Sequence, residues 1–295
     1  MQNRTLIVLG MHRSGTSLIT QWLHKCGLPV GENLLGPGLG NKEGHFEDTA
    51  FYNVHLKILQ DNGLHDSGIL TEPVDQINVS RIKELKQIIA DKNRRFEQWG
   101  WKDPRTCLFP ELYRELIPNA YYLVVLRDYQ SVIISLLNRT FALKDITYNT
   151  QKGYFSRLAW YTFRRKQQFK KFCREQASFF LKVWIHYNES ILTYIRSLPA
   201  DKYLVINYTI LFKDDERIIS HLNNSWHFSL NYSSFSDICN EKLFSKPFKV
   251  DHFINNDQLI KMAEDLFIDL SSFVSPKSVA ADREFLYNES VTKVI

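Results

Sequence analysis

The run Thr5-Leu6-Ile7-Val8-Leu9 reads as a short buried strand. It gives way at once to Gly10-Met11-His12-Arg13-Ser14-Gly15-Thr16-Ser17, after which Leu18, Ile19, Trp22 and Leu23 recur at helical spacing. A strand that hands over to a helix through a glycine-framed loop constrains the fold more than any other feature of the chain. The glycines permit a tight turn, so that successive backbone N–H groups and the helix N-terminus converge on one point that suits a phosphate. The same residues would also serve as a plain glycine turn carrying a surface arginine, so the loop alone leaves both uses open.

Downstream, strand and helix patterns alternate. Helices are predicted over Gly15–Lys25, Phe51–Leu59, Val79–Phe96, Pro110–Leu116, Gln130–Asn138, Phe155–Gln176, Phe179–Leu198, Glu216–Leu222 and Asp257–Leu270. Strands are predicted at Leu6–Leu9, Trp99–Trp101, Tyr121–Leu126 and Tyr203–Ile206. This alternation implies an α/β fold in three layers, a central parallel sheet flanked by helices. At 295 residues, 44% apolar, with 20 Phe and 14 Tyr, the chain fills such a core as one domain spanning 1–295. Its longest apolar runs are too short to span a bilayer. The opening Met1-Gln2-Asn3-Arg4 leads straight into a strand, which is not the layout of a secretory signal. Cys26, Cys107, Cys173 and Cys239 are scattered without metal-ligand spacing and read as reduced thiols. A soluble, cytoplasmic protein is expected. The net charge of +5 favours an anionic ligand only mildly.

Within the loop, Gly10 and Gly15 have the spacing of the nucleotide-hydrolase pattern G-x-x-x-x-G-K-[ST], but Thr16 stands where its lysine belongs. The cation is displaced to Arg13. Without a lysine reaching the terminal phosphates, a nucleoside triphosphate site would be badly handicapped. Three further segments carry chemistry. Leu126-Arg127-Asp128 ends the clearest strand, and Ser135 follows Arg127 by eight residues. Trp101-Lys102-Asp103-Pro104-Arg105 lies upstream of the helix leading into that strand. Gly40-Asn41-Lys42-Glu43-Gly44-His45-Phe46-Glu47-Asp48 follows a Gly/Pro-rich stretch. Each has a bland use as well: an arginine closing a strand, an Asp103–Arg105 salt bridge, an acidic first turn in which Asp48 caps a helix.

Arg13-Ser14-Gly15-Thr16-Ser17 resembles the 5′-phosphosulfate loop, [K/R]-S-G-T-[T/S], of sulfotransferases that use 3′-phosphoadenosine-5′-phosphosulfate (PAPS). Arg127 and Ser135 are similar in type, order and interval to the pair with which that family binds the 3′-phosphate. The Lys-Asp-Pro segment at Lys102 resembles protein-tyrosine and several bacterial members, and the Gly-His-Phe-Glu-Asp segment ending at Asp48 resembles a G-Y-F-E-D segment of bacterial members, with His45 in the aromatic place. The resemblance implies that the amides of Ser14, Gly15, Thr16 and Ser17 and the hydroxyls of Thr16 and Ser17 hold the 5′-phosphate. It places Arg13 at the leaving oxygen and Lys102 over the transferring group. The acceptor's proton then needs a base, with Glu47 first, Glu32 second, and Asp103 and His45 behind them. Tyr208, after the last strand, is similar to an adenosine-enclosing tyrosine, though the acidic pair that usually follows it is missing.

The resemblance is dense over the first 140 residues and then thins. The stretch 141–176 has no counterpart and reads as a helical insertion, while Trp184-Ile185-His186-Tyr187-Asn188 resembles a W-x-x-Y-N helix of bacterial members. The basic run 164–174, interleaved with Phe169 and Phe172, would suit an anionic glycan or a membrane surface, or simply a solvated helix face. PAPS as co-substrate, no metal, a small-molecule or glycan acceptor, no nucleic acid and no integral membrane segment are the resulting expectations. The rivals are an ATP-dependent small-molecule kinase and a non-catalytic nucleotide- or glycan-binding module.

Overall fold

Four short strands, β1 (Arg4–Leu9), β2 (Gln98–Lys102), β3 (Tyr121–Leu126) and β4 (Tyr203–Asn207), pair in parallel in the order β2-β1-β3-β4. The computed structural model describes residues 3–38, 44–151, 153, 160–207, 211–239 and 248–274. Alternation along the strands sorts their side chains onto two faces. Leu6, Val8, Leu123 and Val125 pack on one side against α1 (Thr16–Lys25) and α7 (Leu211–Asn224). Ile7, Leu9, Tyr122, Val124 and Leu126 pack on the other, against α2 (Thr49–Asp61), α3 (Val79–Arg95), α4 (Pro110–Leu116), α5 (Tyr129–Gln151), α6 (Arg165–Arg196) and α8 (Asp257–Ser271). Helices on both faces of a parallel sheet give the three layers expected from the sequence.

Two expectations need correction. α5 runs on to Gln151 rather than ending near Asn138. The two helices expected over 155–198 include one continuous helix, α6, entered through a π-helical turn at Trp160–Arg164. The polar stretch around Glu175 and Gln176 suggested a break, but the buried stripe Phe172, Cys173, Ala177, Phe180, Leu181 and Trp184 continues through it at helical spacing. Phe169 and Phe172 pack on Phe141 with ring centroids 5.0 and 5.6 Å apart, while the basic residues between them are exposed. The phenylalanines of that segment thus pack inward and its basic residues line the exposed side of α6. Among the described residues no helix is long and apolar enough to cross a membrane. Cys26, Cys107 and Cys173 are buried free thiols.

The strand order decides where a ligand can enter. The chain leaves β1 towards β2 on one side, then crosses to β3 on the other, so the carboxyl ends of β1 and β3 flank a crevice. In open α/β sheets that crevice is where ligands bind.

Candidate active site

The loop after β1 opens into this crevice. Gly10 N–H donates to Cys107 Sγ at 3.2 Å, and a methyl group at Gly10 would meet Thr16 Cγ2 at 2.7 Å, so the first glycine anchors the loop floor. Gly15, in the left-handed region at φ 91°, precedes α1 without a side-chain cap. Its carbonyl accepts the first helical bond, from Ile19 N at 3.2 Å. The amides of Thr16, Ser17 and Leu18 thus form an uncapped first turn, a ready anion cradle. Ser14 N–H differs from expectation: it closes a turn onto the Met11 carbonyl at 3.1 Å and is not free for a phosphate. Arg13 itself lies in the left-handed region at φ 69°, an uncommon conformation for a residue with a side chain.

That conformation accompanies the contact that ties the site together. Arg13 Nε donates to Ser135 Oγ at 2.8 Å, and Arg127 Nη1 donates to the Arg13 carbonyl at 2.9 Å. The loop and the strand-end pair, 114 residues or more apart in sequence, are therefore one patch. Trp184 Nε1 holds the Arg127 carbonyl at 3.2 Å, and Tyr187 meets the His12 ring edge-on at 5.8 Å, which explains how the W-x-x-Y-N helix serves the site. Burial, then Arg139 and Arg127, pull the Arg13 guanidinium down to about 10.

On the other flank Lys102, at the end of β2, is 1% exposed. Its ammonium donates to Ser17 Oγ at 3.0 Å, the His45 carbonyl at 2.6 Å and Glu47 Oε1 at 2.8 Å. Three donors meet three acceptors, so the buried charge is satisfied and fixed in place. Glu47 is held by a short antiparallel pairing: Leu35 N donates to the Glu47 carbonyl at 2.8 Å, and His45 N to the Leu35 carbonyl at 3.0 Å. Burial raises the Glu47 pKa, and Lys102 partly offsets this. The His45 imidazole is lowered to about 4, first by burial and then by Lys102, so it is neutral at pH 7.

The other carboxylates are committed elsewhere. Asp103 caps the 3-10 turn Pro104–Leu108 and pairs with His55 Nδ1 at 2.9 Å and Arg105 Nη1 at 3.1 Å. Burial alone would raise its pKa, but Arg105 and His55 hold it far below the usual carboxylate range. Glu32 is bound to Arg95 and to Lys92 at the end of α3. Asp48 caps α2 through Ala50 N at 3.0 Å and pairs with Lys92 at 2.7 Å. Asp128 likewise caps α5, accepting from Ser131 N at 2.8 Å. Tyr208 lies outside the described residues.

Two residues in this cluster escaped the sequence reading. His12 Nε2 is buried without a hydrogen-bond partner among the described residues, and burial and then Arg105 lower its pKa well below the ordinary histidine value. Arg139 lies on α5 within Coulombic reach of Glu47, Arg105, Arg13, His12 and His45. Its signal was available: it follows Ser135 by four residues, on the same helix face. Among the described residues no cluster of His, Cys, Asp and Glu has the makings of a metal site.

No protein-family model matches the sequence, and no curated protein matches it either. Solved structures do. A sulfotransferase from Mycobacterium avium superposes with a TM-score of 0.57 at 15% identity, over 93% of this chain and 78% of that one. The sulfotransferase domain of an olefin synthase from Synechococcus gives 0.46 at 14% identity, over 90% of this chain and 94% of that domain. On the first of these, the chain has the sulfotransferase fold.

Proposed function

We propose that the protein transfers a sulfuryl group from PAPS to the hydroxyl of a small-molecule or carbohydrate acceptor. The observation that carries this reading is the Arg13–Ser135 hydrogen bond, with Arg127 on the Arg13 carbonyl. It joins an uncapped helix start to two guanidinium groups, which suits a ligand with phosphates at two separated points.

When bound, PAPS supplies an activated sulfuryl group on a phosphate leaving group. The first-turn amides and the Thr16 and Ser17 hydroxyls hold its 5′ end. Arg127 and Ser135 hold the 3′-phosphate; Ser135 Oγ accepts from Arg13 and keeps its own O–H to donate. Arg13 and Lys102 supply fixed positive charge where negative charge develops. Glu47, adjacent to Lys102 and raised by burial, takes the acceptor's proton.

Calorimetry with PAPS and with its analogue lacking the 3′-phosphate tests the assignment. Arg127→Ala should weaken PAPS about ten- to a hundredfold and the analogue far less, as loss of one charge-assisted contact requires. Equal losses for both ligands would remove the 3′-phosphate site. Transfer of label from PAPS to members of an acceptor library separates an enzyme from a binding module.

A further inference from the structure

The net positive charge of the chain is carried by one helical stretch. Residues 160–182 hold seven Lys and Arg and a single acid, Glu175, so this stretch has a net charge of +6 against +5 for the whole chain. All seven bases are exposed. Arg165 is forked onto Asp145 at 2.8 Å, and Lys171 lies 3.8 Å from Glu175. Arg164, Lys166, Lys170, Arg174 and Lys182 have no acid within ion-pair reach among the described residues. Lys166, Lys170 and Arg174 stand four residues apart, a spacing at which like charges repel along a helix. A solvated face gains nothing from such a stripe, whereas a polyanionic partner neutralises it.

The fold sets this stretch at the far end of a projecting hairpin. Tyr194 of α6 meets Tyr122, near the start of β3, at 5.1 Å, and Trp184 holds the Arg127 carbonyl just past the end of that strand. α6 thus runs beside β3, and the residues before Trp184 lie beyond the carboxyl edge of the sheet. Arg165 is about 28 Å further along the axis. α5 accompanies it, through Tyr129–Trp184 at 6.0 Å, Phe141–Phe172 at 5.6 Å and Tyr148–Trp160 at 3.8 Å. At the Tyr148–Trp160 end the hairpin also bares apolar surface: Leu143 is 55% exposed, Ile146 46% and Tyr161 50%. Leu143 and Ile146, three residues apart, share one side of α5. It is the side away from Phe141, Asp145 and Tyr148, which face α6 and the turn before it.

We propose that this hairpin end docks the protein on an anionic lipid surface. Bases and apolar side chains stand on different sides of the same end, which suits a planar interface met end-on. Headgroup phosphates take the cations, and the acyl boundary takes Leu143, Ile146 and Tyr161. A soluble polyanion, such as a glycan or nucleic acid, would pair with the charge but leave those apolar side chains in water. Because the hairpin projects from the carboxyl edge, docking turns the crevice between β1 and β3 towards the lipid. The proposal is independent of what that crevice binds.

Flotation of the full chain with phosphatidylcholine vesicles, with and without phosphatidylglycerol, tests it. The protein should bind only the anionic vesicles, and added salt should weaken the binding. Lys166→Glu/Lys170→Glu/Arg174→Glu should lower the affinity at least about a hundredfold, since each base near such a surface contributes several-fold. Lys83→Glu/Lys86→Glu/Lys261→Glu, an equal change of charge on exposed residues of α3 and α8, should lower it far less. Leu143→Ser/Ile146→Ser should weaken it about tenfold. All these side chains are exposed, so every variant should keep the fold, which circular dichroism checks. Failure to bind anionic vesicles, or equal losses in the two charge-reversed proteins, would overturn the proposal. So would unchanged binding by Leu143→Ser/Ile146→Ser, or retention on heparin or DNA without vesicle binding, either of which would assign the face to a soluble polyanion.

Discussion

Lys102 and Glu47 form a buried pair whose two members have opposite tasks in the proposed reaction, one holding charge and the other accepting a proton. Glu47→Gln keeps the shape and a hydrogen bond for Lys102 but loses basicity. It should leave affinity for 3′-phosphoadenosine-5′-phosphate nearly unchanged and lower kcat by about 10²–10⁴-fold. Burial raises the Glu47 pKa, so the acid limb of the kcat–pH profile should lie above the ordinary glutamate range, with activity falling as pH drops through it. Glu47→Gln should abolish that limb. Near-normal kcat in this variant would move the base to His12, whose Nε2 has no partner among the described residues. The residue types of this site were legible in the sequence; their partnerships were not. Arg13 and Ser135 are 122 positions apart and Lys102 and Glu47 are 55 apart, so no local pattern could report that they touch. Arg139 was passed over because one arginine on a helix reads as a solvated side chain until the neighbouring turn is known to face a site.

Among the elements, β2 places Lys102, and its own placement depends on Gly100. A methyl group there would come within 2.4 Å of the Leu6 carbonyl oxygen on β1, and Gly100 N donates to the Pro29 carbonyl at 2.9 Å. On the other side of the strand, Trp99 and Trp101 stack with Phe51 of α2, the Trp101–Phe51 centroids 4.4 Å apart, so β2 has little room to retreat. Gly100→Ala should therefore destabilise the fold by about 1–3 kcal/mol, as overpacking does. The urea midpoint should fall at constant m, and kcat should fall with it because Lys102 moves with the strand. An unchanged midpoint would mean that the strands separate without cost. Strands and short helices with strong punctuation, such as Tyr121–Leu126 and Pro110–Leu116, matched their sequence boundaries residue for residue. The long helices Val79–Arg95 and Asp257–Ser271 fell within one residue of expectation, whereas α5 and α6 did not, because their ends are set by tertiary packing rather than by local breakers.

Across the whole molecule, positive charge is concentrated at one end of the sheet. Arg13, Lys102, Arg105, Arg127 and Arg139 converge there against Glu47 and Asp103, in a chain whose net charge is only +5. The arrangement bears on metal use. In the pattern G-x-x-x-x-G-K-[ST] the final hydroxyl holds Mg²⁺, and Ser17 occupies that position here. Yet Ser17 Oγ accepts from the Lys102 ammonium at 3.0 Å, so a fixed monocation from β2 stands where the divalent ion would be held. A divalent ion about 4 Å from that ammonium would be repelled by about 8 kcal/mol at an effective dielectric of 20, twice the unit-charge value. The strand-end acids that would complete a magnesium site, Asp103 and Asp128, are both engaged, one by His55 and Arg105 and the other as a helix cap. Transfer from PAPS should therefore proceed equally with EDTA or with added Mg²⁺, and ATP with Mg²⁺ should not act as a donor. Lys102→Ala should lower kcat by about 10²–10³-fold, the usual effect of deleting one preorganised charge-stabilising group, and added Mg²⁺ should not restore it. Robust phosphoryl transfer from ATP, abolished by EDTA, would instead assign the fold to a kinase and leave Lys102 as an ordinary buried ion pair.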